Sequence, residues 1–208
     1  MTFRDHAMAP DPLASCPLEG KDWSDIREIE ARSGLLAEAL PGFAYGGAQF
    51  SMLSCRAELT PPDIVINPHR HNHLEIILIL AGEARETTEK GQMLRAGTLQ
   101  VHALGELHGW RGIGQAVLRL GLCFTVQPAV AFIRPEFWPQ DPAWVELARE
   151  LLAETVSSSP GRRERLHARL VLLLAPAFAL LDLPEQPSLP ILNERVRNFD
   201  MTGLVDRF

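Results

Sequence analysis

The stretch NPHRHNHLEI, residues 67–76, places three histidines and a glutamate at alternate positions. Side chains alternate between the two faces of a β-strand, so this spacing predicts that all four project from one face. The residues on the predicted face are His69, His71, His73 and Glu75. Neutral imidazole and carboxylate are ligands for borderline divalent metal ions. The stretch therefore predicts most of a metal site, which a second segment of chain must complete.

A second segment that carries histidine is GTLQVHALGELHGWRG, residues 97–112. Its pattern predicts a strand, a glycine turn at Gly105 and another strand, which presents His108 just after the turn. If the sheet closes into a barrel, His108 is expected to lie across from the first cluster.

Composition and charge limit the classes of partner. The chain has 208 residues, enough for one domain with a hydrophobic core, and a formal net charge of -6. Nearly all of its positive charge is arginine, and no basic stripe of the kind that neutralises phosphates is visible. A direct nucleic-acid partner is therefore not expected.

Cysteines and apolar runs bear on the compartment. Cys16, Cys55 and Cys123 are widely spaced and odd in number, a pattern that suggests neither a disulfide framework nor a sulfur-ligated zinc site. The N-terminus has no signal-peptide core, and the most apolar run, residues 170–181, is too short to cross a bilayer. A cytoplasmic protein without a membrane partner is expected.

The chain divides into four regions, at the points where the predicted type of secondary structure changes. Short β-rich segments between glycine, proline and acidic turns predict an antiparallel sandwich or barrel, including a hairpin with Lys90 and Gly91 at its tip. Helices are predicted over residues 22–40, 141–156 and 160–181. The regions are an arm and helix (1–44), a β-barrel (45–128), a helical extension (129–185) and a tail (186–208).

The two histidine segments together resemble the paired motifs of the cupin superfamily. The first gives His69-x-His71, three residues, Glu75, six residues and Gly82. The second gives Gly97, five residues, Ala103-x-Gly105, two residues and His108. The resemblance covers roughly residues 45–126 and implies a mainly β, double-sheet cupin barrel of six to eight strands. It also implies that His69, His71, Glu75 and His108 bind one divalent ion, with zinc, nickel, iron and manganese all open.

Several positions depart from the family pattern, although none is a ligand. Asp63 replaces the usual glycine, Thr98 a frequent acidic residue, Ala103 a proline and Gly112 an asparagine. The order of a barrel followed by two helices is most similar to the sensor domain of AraC-type transcription regulators. Only some 25 residues follow those helices, whereas such regulators continue for about another hundred residues with helix-turn-helix units, so a lone sensor or a shortened regulator is expected.

Other residues have two interpretations each. His73 shares the predicted face and is a candidate for lining a ligand pocket, with a surface role as the alternative. Trp110 is a candidate for the apolar wall of that pocket or for the core. His102 and His167 are interpreted as structural. The helix predicted over residues 160–181 is apolar on nearly all sides. One sheet face cannot cover that much apolar surface, which predicts a homodimer through the C-terminal helices.

Two functions of different classes remain open. A regulatory cupin would enclose a small metabolite near the metal, with the helices transmitting the signal or forming the dimer. A metal-dependent enzyme, of the dioxygenase or isomerase type, would use the open coordination positions of the ion to act on a small oxygenated substrate. The order of elements favours the first, and the complete ligand set favours the second. A metal-free cupin with a polar interior is the alternative to both, but it would leave buried polar atoms unpaired.

Overall fold

The computed structural model of the protein describes residues 24–88, 91–130 and 140–183. Within these ranges the helices are α1 Ser24–Ala39, α2 Ala143–Glu154 and α3 Arg162–Phe178. The strands are β1 Gly42–Tyr45, β2 Ala48–Thr60, β3 Val65–His69, β4 Leu74–Ala81, β5 Glu83–Glu86, β6 Met93–Arg95, β7 Leu99–His102, β8 His108–Gly112 and β9 Val117–Gln127. The predicted arm (1–21) and tail (186–208) lie outside the described residues.

The strands form two antiparallel sheets. The first has the order β1-β2-β9-β4-β7 and the second the order β3-β8-β5-β6. The expected fold class, mainly β with two facing sheets, an N-terminal helix and a C-terminal helical pair, is confirmed. The described residues hold nine strands rather than six to eight, because β1 was not predicted and short strands flank the turns. Pairing of β5 with β6 confirms the predicted hairpin, although Lys90 at its tip lies outside the described residues.

The larger hydrophobic core lies between the five-stranded sheet and the helices. Strand β4 contributes Leu74, Ile76 and Leu78 to it, and each of them is fully buried. These residues alternate along the strand, as expected for a sheet that buries one face against a helical layer. The helices bury their apolar stripes against the same face, so they share one core with the sheet.

A smaller apolar cluster lies between the two sheets. It consists of Ile77, Ile79, Ala84, Leu94, Trp110 and Val117. Ile77 and Ile79 come from the opposite face of β4 to Leu74 and Ile76. Each face of this strand therefore has its own neighbours, helices on one side and the interior of the β-sandwich on the other.

One glycine is required where the chain passes from the first sheet to the second. Gly82 follows β4 with a φ of +84°, and a Cβ atom there would lie 2.3 Å from the carbonyl oxygen of Ala116. A side chain would meet both backbone strain and a backbone atom at this position. The glycine that ends the first motif is thus explained by the turn into β5.

The C-terminal helices begin later than predicted but pack together as expected. Asp141 accepts a hydrogen bond from the backbone N–H of Ala143 at 2.8 Å, which is a capping contact, and α3 begins at Arg162 after Gly161 in a left-handed conformation. Most apolar residues of α3 are buried within the chain, whereas Leu172 is 53% exposed. The homodimer through these helices stays a prediction. None of the described helices has the length and apolarity needed to span a membrane.

Candidate metal centre

The four predicted ligands come from three strands and a connecting segment. His69 ends β3, His71 lies in the connection after it, Glu75 is the second residue of β4, and His108 begins β8. One potential ligand atom from each of them can be chosen so that all four lie within 4.8 Å of one another. The structure therefore brings together the residues that the sequence proposed, at one end of the space between the sheets.

The local structure that achieves this differs from the prediction. Residues 69–75 were expected to form one strand with His69, His71, His73 and Glu75 on one face. Instead, β3 belongs to the four-stranded sheet and β4 to the five-stranded sheet, and the chain crosses between them at residues 70–73. The ligands converge because the two sheets face each other, not because side chains alternate along one strand.

Backbone contacts hold this crossing against the loop before His108. The N–H of Gly105 donates a hydrogen bond to the carbonyl oxygen of His71 at 2.7 Å, and the Arg70 guanidinium donates to the carbonyl oxygen of Gly105. Gly105 has a φ of +74°, which suits a glycine in the turn between β7 and β8. His69 and His108 are then directly opposite each other in the β3–β8 pair.

The distances between the ligand atoms match a shared coordination sphere. His108 Nε2 lies 2.9 Å from Glu75 Oε2, and His71 Nε2 lies 3.4 Å from the same oxygen. The Nε2 atoms of His69 and His71 are 3.0 Å apart. With metal–ligand bonds of about 2.1 Å, neighbouring ligands lie roughly 3 Å apart and opposite ones roughly 4.2 Å apart. The four atoms thus need only small shifts to surround one ion.

Two of the imidazoles are oriented by the backbone through their other nitrogen. His69 Nδ1 lies 2.8 Å from the carbonyl oxygen of Asn67, and His108 Nδ1 lies 3.2 Å from that of Glu106. Because a carbonyl accepts, Nδ1 carries the proton in each ring, which leaves the Nε2 lone pair free. Metal-binding histidines are usually fixed in this way. The backbone contacts at Nδ1 therefore leave available for a metal the same Nε2 atoms that converge in the cluster.

Buried polar atoms at the centre lack conventional partners. His108 Nε2 and Glu75 Oε2 lie 2.9 Å apart, and neither satisfies the other as a conventional hydrogen-bond partner among the described residues. His108 is 4% exposed and Glu75 9%. Leaving such atoms unpaired costs about 1–3 kcal/mol each. A cation between them would satisfy both, so the residues present fit a metal ion.

The charge states also suit a cation. Burial alone raises the pKa of Glu75, but the contact with His108 and the nearby His102 and His71 outweigh it and lower the pKa to about 2. Burial is the largest cause of the lowered pKa of His71. At neutral pH the carboxyl group is therefore ionised and the His71 imidazole is neutral, which are the forms that bind a metal.

The other sequence candidates lie in different places. His73 is half-buried and its ring stacks on that of His71 at 4.5 Å, so it borders the cluster. Trp110 is 2% exposed and belongs to the apolar cluster between the sheets. Their predicted role in lining a ligand pocket stays a prediction. His167 lies on α3 with its ring 5.8 Å from that of Phe43, on the helical side of the sheet.

Sequence reasoning missed how closely His102 approaches the centre. His102 is 2% exposed, its ring stacks on that of His108 at 4.0 Å, and its backbone pairs with Glu75 across β4 and β7. Its alternation with Gln100 along β7 was the available signal, but only the pairing of β7 with β4 identifies Glu75 as its neighbour. His102 supports the position of a ligand ring through stacking.

No protein-family model matches the chain, and no curated protein matches it. Among solved structures it is similar to the DMSP lyase DddQ from Ruegeria pomeroyi DSS-3, with 26% identity and a TM-score of 0.31 over 39% of this chain and 40% of the lyase. It is also similar to an RmlC-like cupin from Shewanella frigidimarina NCIMB 400, with 16% identity and a TM-score of 0.32 over 41% and 83% of the two chains.

A predicted oxalate decarboxylase from Thermotoga maritima gives 20% identity and a TM-score of 0.33 over 38% and 79% of the two chains. The chain aligns with about two-fifths of the length of the DMSP lyase DddQ. The structure itself shows two antiparallel sheets, flanking helices and a cluster of three histidines and a glutamate that could hold a metal ion.

Proposed function

We propose that this protein is a cupin that binds one divalent metal ion at His69, His71, Glu75 and His108 and uses it to sense a small oxygen-bearing metabolite. The set of one carboxylate and three imidazoles suits zinc, nickel, iron or manganese. On a five- or six-coordinate ion it leaves one or two positions for the metabolite. The similarity to AraC-type sensor domains supports a regulatory use of that binding.

The two-sided packing of β4 is the observation that carries the regulatory proposal. Glu75 points toward the ligand cluster, whereas its neighbours Leu74 and Ile76 are buried in the core that the sheet shares with α2 and α3. A change in the position of Glu75 when a metabolite binds must be accommodated by these adjacent residues, because cores are close-packed. Binding of a metabolite at the site would thereby alter the packing of the helices through this one strand.

Metal content tests the first half of the proposal. Protein purified without chelator is expected to contain about one equivalent of a divalent ion by elemental analysis, since four ligand atoms form a single site. His69→Ala combined with His108→Ala should reduce this below about a tenth, while His167→Ala, a histidine outside the cluster, should retain it. Less than a tenth of an equivalent in the unmodified protein after metal supplementation would refute metal binding.

A metal-dependent enzyme is the second candidate, and the accessibility of the centre favours it. His69 and His71 are only partly buried, so a substrate can approach the side of the cluster that they form. With the ion in place, the metal would polarise a substrate oxygen bound beside these residues. His73, next to His71, is the group in reach for a proton transfer.

One experiment separates the two candidates. Metal-loaded protein is mixed with small hydroxy acids, keto acids and sugars, and both the melting temperature and the fate of each compound are measured. A sensor is expected to be stabilised by about 2.7 kcal/mol at a hundred times the dissociation constant and to return the compound unchanged. Consumption of a compound that is lost in His108→Ala would instead establish the enzyme. Absence of both effects with every compound would contradict both candidates.

A further inference from the structure

The inner face of the five-stranded sheet can be read in rows that cross neighbouring strands. Strand register places residues of β4, β9 and β2 side by side on the sheet face that is turned away from the helices, and on β2 this face is exposed at Arg56 and Glu58. The row at the metal ligands contains Glu75, Cys123 and Ser54. The next row contains Ile77, Gly121 and Arg56, and the third contains Ile79, Arg119 and Glu58. The rows beyond the ligands thus contain two arginines.

Gly121 leaves space at the middle of the second row. A Cβ atom at this position would meet only the carbonyl oxygen of Arg56, at 3.8 Å. The glycine has no positive φ and therefore is not required by the backbone. Because little lies near that Cβ position, there is room above Gly121, directly beside the row that holds the metal ligand Glu75.

The arginines bordering this space are differently engaged. Arg119 pairs with Glu58 at 2.7 Å and lies over the Trp110 ring at 5.3 Å, which directs it across the interior. Its Nε atom is buried and has no hydrogen-bond partner in the described part of the chain. Arg56 forms no ion pair within residues 24–88, 91–130 and 140–183. One guanidinium therefore remains available in the row beside the metal ligands.

Cys123 is the partner of Glu75 in the register of β4 and β9, one row before Gly121. Burial raises the pKa of the Cys123 thiol and the charge of Glu75 adds to this, while the positive charges of Arg119 and Arg56 act in the opposite direction. The positive charges of both arginines therefore act on the thiol that neighbours Glu75 across β4 and β9. With an ion in place, this space would have a metal cation on one side and positive side chains on the other.

Resting on the proposed metal function, we infer that the metabolite is a small carboxylate, held with one oxygen on the metal and a carboxylate group against Arg56 above Gly121. A guanidinium pairs with a carboxylate through two parallel hydrogen bonds, whereas a neutral sugar offers it no charge. The α-carbons of Glu75 and Arg56 are two strands and two residues apart, about 12 Å. Two long side chains cover most of this distance, so the acid has only a few carbon atoms.

Cobalt-loaded protein provides a test that reports on the metal directly. Succinate is titrated into the Co²⁺ protein while the visible absorption bands are recorded, with succinamide as the neutral probe. Succinate is expected to change the bands, and the Arg56→Gln substitution is expected to weaken succinate binding at least tenfold. The matched control is Arg111→Gln, an exposed arginine on β8, the strand of His108, which should bind as the unmodified protein does.

A second variant tests the space rather than the charge. Gly121→Val fills the opening above the second row. It should weaken succinate binding at least tenfold, while the Co²⁺ content stays at one equivalent. Equal succinate affinity in Arg56→Gln and Arg111→Gln, equal responses to succinamide and succinate, or no response to succinate in protein that holds cobalt would each overturn the inference. Failure to hold cobalt at all would instead overturn the proposed metal function.

Discussion

The two faces of the five-stranded sheet are built from the same strands, but only the inner face combines apolar residues with a polar centre. On β4 the residues Leu74, Ile76 and Leu78 face the helices, whereas Glu75, Ile77 and Ile79 face the second sheet. Strand β9 divides in the same way, with Leu120 and Leu122 on the helical side. Because side chains alternate, one sheet buries a large core on one face and carries a polar centre on the other.

The helical face is dominated by aromatic packing. The Phe43 and Phe50 rings stack at 5.1 Å, and Phe124 meets both of them edge to face. Phe178 from α3 lies 5.1 Å from Phe50 and so joins the helix to the sheet. Such pairs stabilise beyond their buried area. This face holds the larger of the two hydrophobic clusters, whereas the inner face carries the polar groups of the site.

The largest effect is expected on the helical face. Phe124→Ala should lower the free energy of unfolding by about 3–5 kcal/mol, because it removes a fully buried ring and leaves a cavity. Chemical denaturation measures this, with Phe124→Leu as the control of smaller loss. The metal content of the folded fraction should not change, and a loss of metal at equal folding would show that the two faces are not separable.

The matching change on the inner face should act on the metal. His108→Ala removes a ligand nitrogen and should weaken metal affinity more than the 10–100-fold typical of outer-shell changes. The metal-free variant should lose less stability than Phe124→Ala, because a buried nitrogen without a partner disappears with the ring. Competition with a chelator measures affinity. An unaltered affinity would remove His108 from the site.

Acid should weaken the metal site before it affects the carboxylate. The pKa of His71 is lowered from 6.5, chiefly by burial, so its neutral form persists to lower pH than in a free histidine. Protons are expected to displace the metal as the pH falls below about 6.

Glu75, with a pKa of about 2, stays ionised throughout that range. A depressed carboxyl pKa stabilises the metal-free fold above the unfolded value of 4.5, and this contribution is lost as the pH falls toward 2. Isothermal titration with metal at pH 5 to 8 tests the first step, and pH-independent affinity would indicate other ligands.

The smallest effect is expected on the reactivity of two thiols, one on each face of the sheet. Cys55 lies in the core on the helical side, where burial raises its pKa to about 12, whereas Cys123 is half-buried on the inner face. Iodoacetamide at pH 8 should therefore label Cys123 roughly ten times faster, since the thiolate is the reactive form. Peptide mass spectrometry measures both sites in one sample. Faster labelling of Cys55 would show that the face assignment of β2 is wrong.

Much of the fold could be predicted because its signals are local. The capping residue Asp141 and the turn glycine Gly105 each mark an element boundary through a conformation or contact that the residue itself favours. The crossing at residues 70–73 was not predicted, since alternate histidines are compatible both with one strand and with a passage between two sheets. Arg56 and Arg119 were missed for a related reason: nothing in their local sequence shows which strand lies beside them.

The sequence by itself determined the type of each element and the chemical identity of the four candidate ligands, because residue type and spacing act locally. Only the tertiary structure decided that the ligand atoms converge to within 4.8 Å and that Gly121 and Arg56 occupy the row of the sheet after the one that holds Glu75. Those neighbours depend on strand register and on how two sheets face each other. Both are set by contacts between residues that are far apart along the chain.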